Sequence, residues 1–259
     1  KSNNIDSWFY IKYRDPDYHI RLRIKINNNN ILSHLLNTLE SQTSIFLDDK
    51  IISKITTDTY VREVERYGNS SMELSENLFC FDSHFCLRAI QLSKDTNNDS
   101  IRWFFSISLI NMLLTEFQFN LNEKLIFSEK QKNGFNNEFG FNKRIKKQLD
   151  RKYQFYKKEI NTLLKKNTDN QNSEIYYVIK LVEEYRLKAI TTIHSINELK
   201  NSGQLDVNRS SLIASYIHMS INRLFTSEQR KHEMILYYFL FLYYRSEIGR
   251  LRYMKDKNA

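Results

Sequence analysis

The sequence is poor in the residues that punctuate a chain. It has 1 proline and 5 glycines in 259 residues, which argues against a fold of many short strands and tight turns and for long helices with few breaks. Cysteine is also scarce. Cys80 and Cys86 have neither CxxC nor Cys/His spacing, so no disulfide framework and no zinc site is expected, and a reducing cytoplasm fits best. The longest apolar run, MILYYFLFLYY at 234–244, falls well short of the roughly 20 residues a membrane-spanning helix needs, so a buried core helix is expected in its place. The opening KSNNIDSW lacks the charged start and apolar stretch of a secretory signal, and nothing in it directs the chain outward. P-loop, GxGxxG, G-x-S-x-G and HExxH motifs are all absent. Nucleotide hydrolysis, dinucleotide redox chemistry, classical esterase chemistry and zinc proteolysis therefore lose their usual support.

What is abundant is apolar and basic. Hydrophobic residues make up 41% and aromatics 14%, enough to bury a full core in one large domain or two closely packed ones. The net charge is +9, and one segment holds most of the excess. From Lys143 to Lys166 ten Lys and Arg face only Asp150 and Glu159, a local balance of +8. Within it Ile145, Leu149, Tyr153, Tyr156, Ile160 and Leu163 recur at helical spacing, which predicts one packed stripe and a solvated basic face. Such a face with interleaved aromatics also suits a nucleic-acid backbone or an acidic peptide.

Alternation near the start predicts a hairpin: Ser7–Tyr13 and Tyr18–Ile26 joined by Arg14-Asp15-Pro16-Asp17, where proline presets φ and aspartate favours the turn. In the second strand Ile20, Leu22, Ile24 and Ile26 are expected to face a core, with His19, Arg21, Arg23 and Lys25 opposite. A helix around 31–40 and a further strand at about 54–66 are expected, the latter ending at Gly68-Asn69, with Glu63 and Glu65 sharing one of its faces. Helices follow: one opening near Ser70 or Ser71 with Glu73 and Glu76 in its acidic first turn, one from Asp99-Ser100 to Gln118, and a third closed by a loop at 133–142. After the basic helix and a polar break at 167–173, helices are expected near 174–200, 208–225 and 227–253. The predicted class is α+β: a small, mostly antiparallel N-terminal sheet followed by a larger helical part.

Three constellations could carry chemistry. Arg21 and Arg23 sit two residues apart on one strand face, about 7 Å, a spacing at which two guanidinium forks can grip one dianion; the alternative is an edge strand blunted by charge. TYVREVERYGN (59–69) brings Glu63 near Arg66, so that Glu63 either joins cross-strand ion pairs or orients an arginine that contacts an anion. SYIHMSINRLF (215–225) places His218 and Asn222 four apart on a helix face with Arg223 at its edge, while Ile217, Ile221 and Leu224 pack. A histidine beside amide and guanidinium groups suits proton transfer near neutral pH.

Together, WFYIKYRDPDYHIRLRIK (8–25), YVREVERYG (60–68) with ELSENLFCFDS (73–83), and HMSINRL (218–224) resemble, in order and spacing, the C-terminal glutamate-elimination part of lantibiotic dehydratases. That part also occurs as free-standing proteins of thiopeptide-type bacteriocin biosynthesis. The resemblance implies one elimination-type domain over 1–259, sheet-rich in 1–69 and helical in 70–259. It implies removal of glutamate from glutamylated Ser or Thr of a precursor peptide, leaving dehydroalanine or dehydrobutyrine, with no cofactor and no metal. The partners implied are that peptide, a separate glutamyl-tRNA-dependent glutamylating protein or domain, and other biosynthetic enzymes. Its arginine and histidine motifs fall on Arg21, Arg23, Arg66 and His218, making His218, Arg21 and Arg66 the catalytic candidates. Arg21, Arg23, Arg66, Glu63, Asn222 and Arg223 are the candidates for binding substrate. The sequence departs from the family pattern at Asn69, Ser220 and Thr226, and the strand and helix that usually precede the hairpin are not in it. Two alternatives remain: an aza-[4+2] pyridine-forming cyclase of the same fold, and a non-catalytic basic module that binds peptide or RNA through 143–166.

Overall fold

A computed structural model describes residues 5–167, 170–171 and 173–257, apart from the side chains of Asn29 and Lys255. The polar break at 167–173 therefore lies partly outside the described residues. The chain forms two compact units, Lys1–Glu63 and Val64–Ala259.

In the first unit the hairpin forms as expected. Strand β1 (Ile5–Tyr13) pairs antiparallel with β2 (His19–Ile26), with Phe9 opposite Arg23, Ile11 opposite Arg21 and Tyr13 opposite His19. Side-chain alternation holds, but the expected core face departs in the first half of β2, while Ile24 and Ile26 are half-buried and Lys25 is exposed. Ile20 and Leu22 are 64% and 43% exposed, whereas Arg21 and Arg23 are half-buried. The cause lies in the aromatic rings that share the basic face. Arg21 lies over the Tyr13 ring at 4.1 Å and Arg23 over Tyr60 at 5.4 Å, and Tyr60 meets Phe9 edge-on at 5.7 Å. An arginine stem buries against a ring while its guanidinium stays polar, so this face gains both apolar contact and cation–π attraction.

Helix α1 (Leu32–Asp48) follows a short 3-10 turn at Asn29–Ile31 and runs further than the expected 31–40. The strand expected at 54–66 is absent: residues 53–63 are irregular, and α2 (Val64–Tyr67) is a single helical turn. The alternation at 54–66 mimics a strand, but a strand needs a ladder partner for its backbone polar groups, and among the described residues the only sheet is the two-stranded β1–β2.

The second unit is helical: α3 (Met72–Asp95), α4 (Ser100–Glu116), α5 (Leu121–Phe139), α6 (Lys143–Lys165), α7 (Glu174–Asn201), α8 (Arg209–Leu224) and α9 (Gln229–Lys257). Helix α5 packs along α9, α7 against α3 and α4, and α8 against α3. The run at 234–244 is core, with Leu236, Tyr237 and Leu240 fully buried, and among the described residues no helix is long and apolar enough to cross a membrane. Asn120 closes a capping box with Glu123, and the side chains of Asn142, Ser173 and Asn208 cap α6, α7 and α8; such caps contribute about 1 kcal/mol each. Ser71 precedes α3 without capping it, its hydroxyl donating instead to the carbonyl of Tyr67.

On α6, Leu149, Tyr153, Ile160 and Leu163 of the expected stripe are buried, and Ile145 and Tyr156 half-buried. The loop expected at 133–142 shrinks to three residues, because α5 continues through it to Phe139 and stops at Gly140, whose φ is +60°. Phe135 accounts for the extension: 4% exposed, it stacks on Tyr237 of α9 at 6.0 Å, burial that outweighs the weak helical preference of the surrounding Asn and Gly.

Candidate functional site

A cavity of about 350 Å³ opens in the helical unit among α2, α5, α8 and α9. His218 of α8 and Arg66 of α2 both line it, with Ser215, Glu138, Arg230 and Glu233. Two candidates separated by 152 positions in the sequence thus reach one wall.

Arg66 is held from below by aromatic packing. Its neighbour Tyr67 is 2% exposed, stacks on Tyr216 of α8 at 5.9 Å and meets Phe79 of α3 edge-on at 4.8 Å. The Arg66 Nε–H donates to Ser215 Oγ at 3.1 Å. Gly68 closes the turn, its N–H bonding the carbonyl of Val64 at 2.8 Å with φ at +77°. Asp206 then fastens the chain, accepting from the Asn69 N–H at 2.8 Å and from Ser70 Oγ at 2.6 Å. Those two hydrogen bonds hold the Asp206 carboxyl below the usual carboxylate range, that from Ser70 the more. Asn69 does not take a positive φ, so this position accepts a residue other than glycine. Gly68 is different, since an added Cβ would stand 2.3 Å from Asp206 Oδ1 and force that side chain to move. Gly68→Ala is expected to cost about 1–2 kcal/mol for the left-handed backbone alone, plus displacement of Asp206. A urea titration should show the lowered midpoint with an unchanged slope.

His218 is positioned by a residue that sequence reasoning overlooked. Its Nδ1 lies 2.9 Å from Oε2 of Glu233, a carboxylate whose side chain is 4% exposed, while the imidazole is 28% exposed. A carboxylate accepts, so Nδ1 carries the hydrogen and Nε2 of the neutral ring keeps its lone pair. A buried carboxylate behind an imidazole fixes its orientation and offsets the positive charge when the ring takes a proton. Arg230 stands one helical turn before Glu233 on α9, 3.8 Å from its carboxylate. It also donates through Nε to Glu138 Oε1 at 3.2 Å and through Nη2 to Glu138 Oε2, and lies over the Phe135 ring at 4.5 Å. The hydrogen bond to Glu138, with the charge of Glu233 behind it, raises the Arg230 pKa above its ordinary value. The chain Glu138–Arg230–Glu233–His218 thus ties α5, α9 and α8 together behind one imidazole. Its only sequence signal is the Arg230/Glu233 spacing of three.

Arg223, expected at the helix edge, is instead fully buried and absent from the cavity wall. Its Nη1 donates to Asp82 Oδ2 of α3 at 2.8 Å. Burial pushes the Asp82 carboxyl up, and the Arg223 guanidinium opposes that. The helix turns Arg223 toward α3 because it lies on the same side as Ser220, which is 3% exposed and 3.5 Å from Cys86 Sγ. Asn222 is half-buried and off the cavity wall. Glu63 is exposed at the end of the first unit, before α2; with no strand at 54–66 it shares no strand face with Glu65.

The remaining candidates belong to the hairpin. His19 Nδ1–H donates to the Asp17 carbonyl at 2.8 Å, which leaves Nε2 to accept from the Arg21 Nε–H at 3.1 Å. His19 also stacks on Tyr13 at 5.3 Å, so Arg21 is braced by an imidazole on one side and a ring beneath. Among the described residues no three His, Cys, Asp or Glu side chains gather as a metal site.

The chain is 31% identical over 237 residues to the nisin biosynthesis protein NisB of Lactococcus lactis subsp. lactis, covering 85% of this chain and 22% of that protein. It is 28% identical over 237 residues to the subtilin biosynthesis protein SpaB of Bacillus subtilis, covering 88% of this chain and 21% of that one. It thus spans about a fifth of the length of these relatives. Among solved structures, the tRNA dependent lantibiotic dehydratase MibB from Microbispora sp. 107891 superposes with a TM-score of 0.68 at 17% identity, over 96% of this chain and 25% of that one. TsrL superposes with a TM-score of 0.63 at 12% identity, over 94% and 85%. At these identities the likeness to the two structures is one of fold. Residues 1–244 match the family described as the C-terminal part of lantibiotic biosynthesis dehydratases, and the chain belongs to that family.

Proposed function

We propose that the chain is a lyase that eliminates glutamate from glutamylated Ser or Thr of a ribosomally made precursor peptide in lantibiotic or thiopeptide biosynthesis. The observation that carries this is the Glu233-braced His218 on the same cavity wall as Arg66. In the elimination, a base takes the α-hydrogen of the modified residue, its electron pair becomes the Cα=Cβ double bond, and the Cβ–O bond breaks to release glutamate as its carboxylate. His218 Nε2 accepts the proton, and Glu233 stabilises the imidazolium that results. Arg66 offsets the charge that grows on the departing carboxylate, an electrostatic role that commonly supplies the largest share of catalysis.

Arg21 and Arg23 are assigned to binding glutamate on the strength of the sequence resemblance, with His19 positioning Arg21; Glu63 and Asn222 are kept as supporting contacts on the same ground. Arg223 serves the core through Asp82. Glutamylation is assigned to a separate protein or domain that draws on glutamyl-tRNA.

Mass spectrometry of a chemically glutamylated precursor peptide incubated with the protein tests this directly. Loss of the glutamyl group with formation of dehydro residues is expected. An intact glutamyl ester, or ring closure of an already dehydrated peptide in its place, would overturn the assignment, the second outcome in favour of the pyridine-forming cyclase.

A further inference from the structure

The outward face of α6 takes no part in the cavity. Arg144, Lys147, Arg151, Gln154, Phe155 and Lys158 follow one another at three- or four-residue steps, apart from the adjacent Gln154 and Phe155, and so form one stripe about 21 Å long. All six are exposed, Phe155 to 76%, and the stripe holds no carboxylate. None of its four cations forms an ion pair among the described residues. The other basic residues of the helix are partly engaged: Lys146 bonds Asp150 at 2.8 Å, Lys152 lies over Trp103 at 4.1 Å, and Lys165 and Lys166 approach Glu247 and Glu183. The stripe thus carries four cations without an ion pair among the described residues, with Lys143 and Lys157 beside it in the same state.

We propose that this stripe binds RNA, tracking the phosphates of a single-stranded or loop segment while an unpaired base stacks on Phe155. Charge complementarity selects a polyanion, and three features select RNA over an acidic peptide. The cations follow one another at steps of one, one and two helical turns along one stripe, two of them are arginines with planar forks for phosphate, and the apolar group among them is a flat ring rather than a groove. A ring between cations is the arrangement that holds splayed bases. The inference does not depend on the elimination chemistry.

Fluorescence anisotropy with a labelled single-stranded 20-mer RNA, from 50 to 200 mM salt, tests it on the whole chain. Four phosphate contacts at about 0.7 counterions each give a log–log salt slope near 3, or roughly 50-fold weaker binding across that range. Combined Arg144→Glu, Lys147→Glu, Arg151→Glu and Lys158→Glu substitution should weaken binding at least roughly 100-fold at 50 mM. Phe155→Ala should weaken it about tenfold and leave the salt slope unchanged. Should the fourfold variant fail to fold by circular dichroism, Arg151→Gln and Lys158→Gln must each lower the slope by about 0.7. No binding at 50 mM, full binding by the charge-altered variants, or equal affinity for polyglutamate with no effect of Phe155→Ala would overturn the proposal.

Discussion

His218→Ala is expected to slow glutamate elimination about 10²- to 10⁴-fold, the range general acid–base groups supply, equivalent to about 3–5.5 kcal/mol of transition-state stabilisation. The effect should fall on kcat, since the imidazole acts on a proton that moves only in the reaction. The fold should survive, because the ring is 28% exposed and Arg230 remains beside Glu233 at 3.8 Å. Glu233→Gln separates positioning from chemistry: an amide can still bond Nδ1 but no longer offsets the imidazolium, so the loss should be intermediate and grow as the chemical step demands a charged ring. The glutamylated-peptide assay reads both variants. A wild-type rate for His218→Ala would remove His218 from the mechanism, and an unaltered Glu233→Gln would leave it there without its brace.

The largest expected loss of stability comes from Arg223→Ala. The guanidinium is fully buried and its partner Asp82 is 5% exposed, so removing Arg223 strands a carboxylate in the core. Breaking such a pair costs about 3–5 kcal/mol, a large part of the total stability of a unit this size. Chemical denaturation should show the shift, and the Asp82→Leu, Arg223→Met double variant should recover much of it, because two apolar groups of similar volume need no charge compensation. An Arg223 that instead contacted substrate would lose activity on substitution without losing stability. The pair of variants therefore assigns the arginine to the core or to the peptide by which quantity moves.

The hairpin, the long helices and the buried stripe of α6 were legible because each rests on local rules: the turn chemistry of Asp15-Pro16-Asp17, apolar spacing, and few helix breakers. Long-range partners defeated the rest. Residues 54–66 alternate like a strand, yet pairing depends on a neighbour that no local pattern reveals. The Asn and Gly of 133–142 spell a loop until Phe135 is seen against Tyr237. Arg223 reads as an edge residue from its helical angle, and only Asp82, 141 positions away, shows that the edge is interior. In the site, His218 and Arg66 stood out by motif. Glu233, Arg230 and Glu138 carry no motif, and they matter through the residue each one touches. The exposure of Ile20 and Leu22 on β2 has the same origin, since Tyr13 and Tyr60 cover Arg21 and Arg23 on the other side of the strand.

The cavity draws its wall from residue 66, from 131–138, from 214–218 and from 230–233, four stretches spread over most of the helical unit. Contacts of such sequence separation close late, because the entropy of long loops must be met before they return anything. The imidazole reaches its carboxylate across only 15 positions, from α8 to α9, whereas Arg66 joins that pair across 152. A chain cut before Arg230 keeps Arg21, Arg23, Arg66 and His218 of the recognised motifs, yet lacks both the carboxylate that braces the imidazole and the arginine that ties that carboxylate to α5.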